Sequence, residues 1–214
     1  MDVSLYDGNL IFKGFIDKLW YSSDKSYVAI IDYKTGKDKE SLDNLIYGEN
    51  LQLPVYIYLL KNDSEFKHAN LVGFYLQKIN IVLPKKGDGS LEEQIQKNLR
   101  LEGYTHPDYV DYIDDNRGEY LKNYKENKDT SVSKSSKIFN DKDVEDLFKL
   151  VSKKVDEAYN GIMNANFDIT AKRIDGVNIS CEYCPFVDCC YKTDKDIVEL
   201  KGKKWKEEDE NANE

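Results

Sequence analysis

The chain lacks long apolar runs, has fewer basic residues (31) than acidic ones (40) and holds no cysteine in its first 180 residues. No apolar run approaches the about 18 residues that read as a membrane-spanning helix, which excludes one. The opening segment, MDVSLYDGNL, has no basic stretch followed by an apolar one. No secretory signal is therefore expected, and a soluble cytoplasmic protein is the default expectation. All four cysteines (Cys181, Cys184, Cys189 and Cys190) fall within ten residues. A disulfide framework would spread them along the chain, whereas clustering around a C-x-x-C core points to metal. Net charge is −9 over 214 residues, which argues against general adhesion to nucleic acid. The excess is uneven, because the last ten residues, WKEEDENANE, set five acids against one lysine. A local basic groove is thus compatible with the sum.

Charged residues make up 33% of the chain, against about 25% in ordinary soluble domains. The apolar residues nevertheless come in blocks, and the length suits one or two domains. Residues 9–20 (NLIFKGFIDKLW) and 27–34 (YVAIIDYK) read as two strands joined by a turn at SSDK, a hairpin. Residues 42–61 read as a helix with Leu45, Gln52, Tyr56 and Leu59 on one stripe; Pro54 suits an early turn, so the regular part can begin near Gln52. A third strand is expected over 71–83, a short helix over 91–98 and a strand over 99–104. The remainder, 105–137, is expected to be an irregular, mobile insert; it holds the acidic group Asp108, Asp111, Asp114 and Asp115 and the polar run KENKDTSVSKSSK. Residues 141–163 predict an amphipathic helix, capped by Asn140 or Asp141, with Val144, Leu147, Phe148, Val151, Val155, Ala158, Tyr159 and Ile162 on one face. A short extended link then leads to the cysteines.

Side chains alternate along a strand, so Val28, Ile30, Asp32 and Lys34 share a face. Asp17 ends the preceding strand, so pairing would bring two carboxylates and one ammonium together. Two acidic oxygens suit Mg²⁺. Such a metal activates water and neutralises charge on a scissile phosphate, while a lysine orients the water or stabilises the transition state. An Asp-x-Lys pair is also common on exposed strands, but here the charges interrupt apolar runs, where uncompensated burial is costly. Gln52 and Tyr56, four residues apart, share a helix face. They either edge a packed helix or look into the site.

These pieces, GFIDKLW…IIDYKTG…GENLQLPVYIYLL, together resemble the RecB-like branch of the PD-(D/E)xK nucleases. The matching elements are Gly14 with Asp17, Asp32 through Gly36, and Gln52 with Tyr56. The resemblance implies an α/β fold with a mixed central sheet flanked by helices. It implies that Asp17 and Asp32, with the backbone carbonyl of Tyr33, bind Mg²⁺ or Mn²⁺, that Lys34 acts on water or charge, and that Gln52 and Tyr56 support them.

Cys181-x-x-Cys184 with Cys190 five residues on is a soft thiolate set suited to Zn²⁺ or an iron–sulfur centre. In this setting it resembles the iron–sulfur staple of AddB-type helicase–nuclease subunits. By that likeness Cys181, Cys184 and Cys190 are ligands of a 4Fe-4S cluster, and Cys189 is an extra or replacement ligand. The family's fourth cysteine, upstream of the Asp strand, has no counterpart here. Neither does its N-terminal metal-binding His; His68 and His106 lie downstream and read as surface residues. The chain is expected to be the C-terminal part of a larger AddB-like protein or a trimmed derivative of one, with a nuclease domain over 1–192 and a charged tail over 193–214. The expected function is metal-dependent DNA cleavage at ends or single strands, exonucleolytic and coupled to an AddA-like helicase in double-strand-break repair. The rival expectation is a non-catalytic DNA-end-binding or scaffold module.

Overall fold

A computed structural model describes residues 2–7, 10–36, 41–80, 87, 89–182 and 184–206. These fall into two units, one of residues 1–41 and 50–153, the other of 42–49 and 154–214.

In the first unit β1 (Asp2–Asp7) pairs antiparallel with β2 (Leu10–Phe15). The chain then leaves that ribbon at Ile16 and Asp17 and enters β3 (Lys18–Tyr21), which pairs antiparallel with β4 (Tyr27–Lys34). The single strand expected over 9–20 is therefore two strands in different sheets. Its break lies at the carboxylate that the sequence singles out, because Asp17 accepts the amide N–H of Tyr33 instead of continuing the ladder. The hairpin itself forms, with Lys18 opposite Ile31 and Tyr21 opposite Val28.

Helix α1 (Gln52–Asn62) carries the chain over to β5 (Asn70–Lys78), which lies parallel to β4. Parallel neighbours need such a crossover. The expected strand over 71–83 thus ends earlier, and its residues 81–83 lie outside the described ones. Helix α2 (Leu91–Leu99) starts at a capping box, in which Ser90 Oγ accepts from Glu93 N and Glu93 accepts from Ser90 N. Strand β6 (Glu102–Thr105) then pairs antiparallel with β5. The result is a mixed four-stranded sheet, β3-β4-β5-β6.

Residues 42–51 are not helical beyond a 3₁₀ turn at Leu45–Tyr47. Asn44, Gly48 and Asn50 all have positive φ, which breaks an α-helix at three points. Leu45 is consequently not on the α1 stripe and belongs to the second unit.

Segment 105–137 has little regular structure, but it is not a loose appendage. Val110, Leu121 and Tyr124 are buried with Ala29, Ile31, Val72 and Tyr75 of the sheet. Asp114 Oδ2 accepts the N–H groups of Gly118, Tyr120 and Leu121 at 2.9–3.1 Å. The segment thus covers one sheet face as a helix would. His106 also differs from its surface expectation, being 4% exposed and stacked on Tyr109. His68 is exposed.

Helix α3 (Asp141–Met163) begins where expected. Asn140 caps it, since its Oδ1 accepts from Asp143 N while Asp143 accepts from Asn140 N. Leu147 and Val151 are its buried residues, whereas Ile162 is 63% exposed.

In the second unit, the link before the cysteines forms β7 (Ala171–Ile174) and β8 (Val177–Asn178), and β9 (Ile197–Leu200) adds parallel to β7. The tail is therefore partly strand. Residues 42–49 are tied to it, as Asn44 N donates to Lys203 O and Tyr47 Oη to Lys201 O.

Candidate active site

All five candidate catalytic residues lie in the first unit. Asp32 and Lys34 end β4 on one face, as alternation requires. Asp32 is only 2% exposed. Its Oδ2 faces Lys34 Nζ at 2.8 Å, an ion pair without the alignment of a hydrogen bond. Gln52, in the first turn of α1, joins both residues. Its Oε1 accepts from Lys34 Nζ at 2.7 Å, and its Nε2 donates to Asp32 Oδ1 at 2.9 Å. Only this amide orientation satisfies an ammonium on one side and a carboxylate on the other. Nε2 also lies 3.0 Å from Tyr56 Oη, to which it donates. Thus Lys34, Asp32 and Gln52 close a circuit, and Tyr56 braces it.

Asp17 reaches the group by another route. Its Oδ2 accepts from Tyr33 N at 2.9 Å, which fixes the peptide between Asp32 and Lys34. Burial raises the Asp32 carboxyl above its ordinary range; Lys34 opposes this, and neighbouring Asp17 adds to it. Gly14 matters through space. A Cβ there would lie 2.6 Å from Leu59 Cδ1 and 3.6 Å from the Tyr56 ring, so glycine lets β2 approach the helix that bears Gln52 and Tyr56.

Two carboxylates beside one ammonium, one of them buried and disfavoured as an anion, form a donor set that fits a hard divalent cation. Among the described residues no group of three His, Cys, Asp or Glu side chains is gathered to hold a metal. The hard-cation set is therefore two side chains, to which a backbone carbonyl can add.

The cysteines of the second unit are likewise not gathered into a metal-binding group. Cys181, Cys184 and Cys190 are partly buried, Cys189 is exposed, and all four are free. The segment runs through successive turns, with Cys184 N donating to Cys181 O and Val187 N to Cys184 O. No three cysteines gather among the described residues, so these residues alone do not fit a cluster.

One residue beside the site carries no signal in the sequence. Lys78 of β5 stands opposite Lys34 in the register, and only the parallel pairing reveals it.

Asp17, the Asp32-x-Lys34 pair and the Gln52-x-x-x-Tyr56 face of α1 thus meet where β4 ends. Residues 1–191 match the PD-(D/E)XK nuclease superfamily, and the chain belongs to it. More particularly, it is similar to the B subunit of the ATP-dependent helicase/deoxyribonuclease of Carboxydothermus hydrogenoformans, 30% identical over 196 residues that cover 83% of this chain. The corresponding protein of a Thermoanaerobacter species is 30% identical over 85% of the chain, and that of Alkaliphilus oremlandii 28% over 91%. The chain spans 17% of the first two relatives' length and 19% of the third's. No helix among the described residues is long and apolar enough to cross a membrane.

Proposed function

We propose that this chain is a metal-dependent DNA nuclease. It cleaves phosphodiester bonds exonucleolytically, as the nuclease part of a helicase–nuclease assembly that processes double-strand breaks. Its substrate is DNA at ends or single strands, its partner an AddA-like helicase, and its compartment the cytoplasm. The observation that carries this reading is the closed circuit of Asp32, Lys34 and Gln52 beside Asp17. The relatives' name, helicase/deoxyribonuclease, supports the assembly and the substrate.

The catalytic residues divide the task. Asp17, Asp32 and the Tyr33 carbonyl would hold Mg²⁺ or Mn²⁺, which when bound would supply charge neutralisation and a more acidic water. The Lys34 ammonium, beside the Asp32 carboxylate, orients the attacking water and stabilises charge on the phosphate oxygens. Gln52 holds Lys34 and Asp32 at fixed separation, so that the ammonium is aimed before substrate arrives. Tyr56 limits rotation of the Gln52 amide. Cys181, Cys184 and Cys190 serve a cluster only with a fourth ligand from beyond the described residues.

The test is degradation of linear DNA by the purified chain, first in chelator and then with Mn²⁺ restored, alongside a calorimetric Mn²⁺ titration. Metal-restored cleavage is expected. DNA affinity without metal binding or cleavage would instead make the chain an end-binding scaffold.

A further inference from the structure

The core face of the sheet continues beyond the site. Asp32 of β4 lies opposite Leu76 of β5, and Leu76 lies opposite Glu102 of β6. One step further along the strands, Lys34 lies opposite Lys78. Directly opposed residues point to the same face, so two lysines stand one strand apart, at about 4.8 Å in backbone spacing. Like charges at that spacing repel.

The surrounding ion pairs only partly explain the arrangement. Glu102 is 6% exposed, and a buried carboxylate needs a partner. Lys122 Nζ already donates a hydrogen bond to Glu102 Oε2. Lys78 Nζ stands at 3.8 Å from the same oxygen, beyond hydrogen-bond range. Lys78 is thus steered by Glu102 without being consumed by it. Its side chain is 23% exposed, as is that of Lys34, so both remain partly open to solvent.

Resting on the nuclease reading above, we propose that Lys78 binds the phosphate next to the scissile one on the cleaved DNA strand. Lys34 serves the reacting phosphate and Lys78 its neighbour, so the backbone of the strand crosses β4 and β5 at the site. Glu102 is the positioning residue that keeps the Lys78 stem along the sheet. Two successive phosphates, one at each ammonium group, offset the repulsion that their register imposes.

The experiment is a salt series. Binding of a labelled single-stranded oligonucleotide to the full chain is measured by anisotropy, with calcium as the divalent ion, for wild type, Lys78→Gln, Lys78→Met and Lys78→Arg. Each lost phosphate contact lowers the slope of log K against log salt by about 0.7 for a single strand. Both neutral variants are expected to lose about one such step, and Lys78→Arg to keep the wild-type slope. In Mn²⁺-supported cleavage the neutral variants are expected to raise KM with kcat unchanged, the mark of binding equal in ground and transition states. The two neutral variants guard against one failing to fold, with thermal melts alongside. Wild-type binding and cleavage with an unchanged slope and KM in both neutral variants would overturn this assignment alone. Failure of the wild type to bind or cleave DNA would overturn the nuclease reading and this one with it.

Discussion

Gln52 donates its amide nitrogen to Asp32 Oδ1 at 2.9 Å, linking the first turn of a helix to the end of a buried strand. The other end of the amide holds Lys34. The ammonium and the carboxylate therefore cannot change separation without breaking one of these bonds. Gln52→Ala is expected to lower kcat, with the Mn²⁺ affinity nearly kept, because the metal oxygens remain. A net hydrogen bond contributes about 0.5–1.5 kcal/mol, which corresponds to about two- to twelvefold in rate for each of the two bonds. Tyr56→Phe removes only the brace and should cost less. Single-turnover cleavage measures the order, and a larger loss in Tyr56→Phe than in Gln52→Ala would contradict it.

The buried carboxylate sets a pH dependence. Burial, with Asp17 adding to it, raises the folded-state pKa of Asp32 above the usual about 3.9. The ionised form therefore costs stability at neutral pH; that cost begins to fall at the raised pKa and is gone below the unfolded-state value. In chelator at pH 7, Asp32→Asn is expected to melt at or above the wild-type temperature, the difference closing as pH falls toward the ordinary carboxylate range. Excess Mn²⁺ should raise the wild-type melting temperature and leave Asp32→Asn unmoved. A wild type that melts higher in chelator at pH 7 would refute this balance.

Gly14→Ala tests the close approach of β2 to α1. The new methyl meets Leu59, which is 1% exposed and has little room to yield. Overpacking of this kind costs about 1–3 kcal/mol. Because α1 carries Gln52 and Tyr56, activity should fall with stability. Denaturant melts and cleavage rates together check this; an unchanged midpoint would show that the contact relaxes freely.

The cysteines make a separate expectation. With no three of them gathered among the described residues, the chain alone should purify colourless and without stoichiometric iron. Elemental analysis and visible absorbance decide it. An iron–thiolate band removed by Cys184→Ser would contradict this and would assign the cluster to this segment.

Much of the site is legible in the sequence because its determinants are local. Asp32 and Lys34 share a face through strand alternation, and Gln52 and Tyr56 through helical spacing. The rest depends on distant partners. The break at Asp17 requires the Tyr33 amide, sixteen residues away. The parallel register that sets Lys78 against Lys34 has no sequence mark. The helix expected over 42–51 fails at Asn44, Gly48 and Asn50, whose tolerance of positive φ outweighs the apolar stripe. Segment 105–137 reads as loose because its anchors are sparse: Val110, Leu121, Tyr124 and the Asp114 carboxylate are few among many polar residues, yet they meet the sheet.

The central claim is that Asp32 and Lys34 form a nuclease centre and not a structural ion pair. The most direct measurement is the Mn²⁺-dependent cleavage rate of linear DNA for wild type, Asp32→Ala and Lys34→Ala, each shown by circular dichroism to be folded. The account predicts that each substitution lowers the rate by about 10²-fold or more, the scale seen when one transition-state charge stabiliser is removed. Equal rates in all three proteins would contradict it.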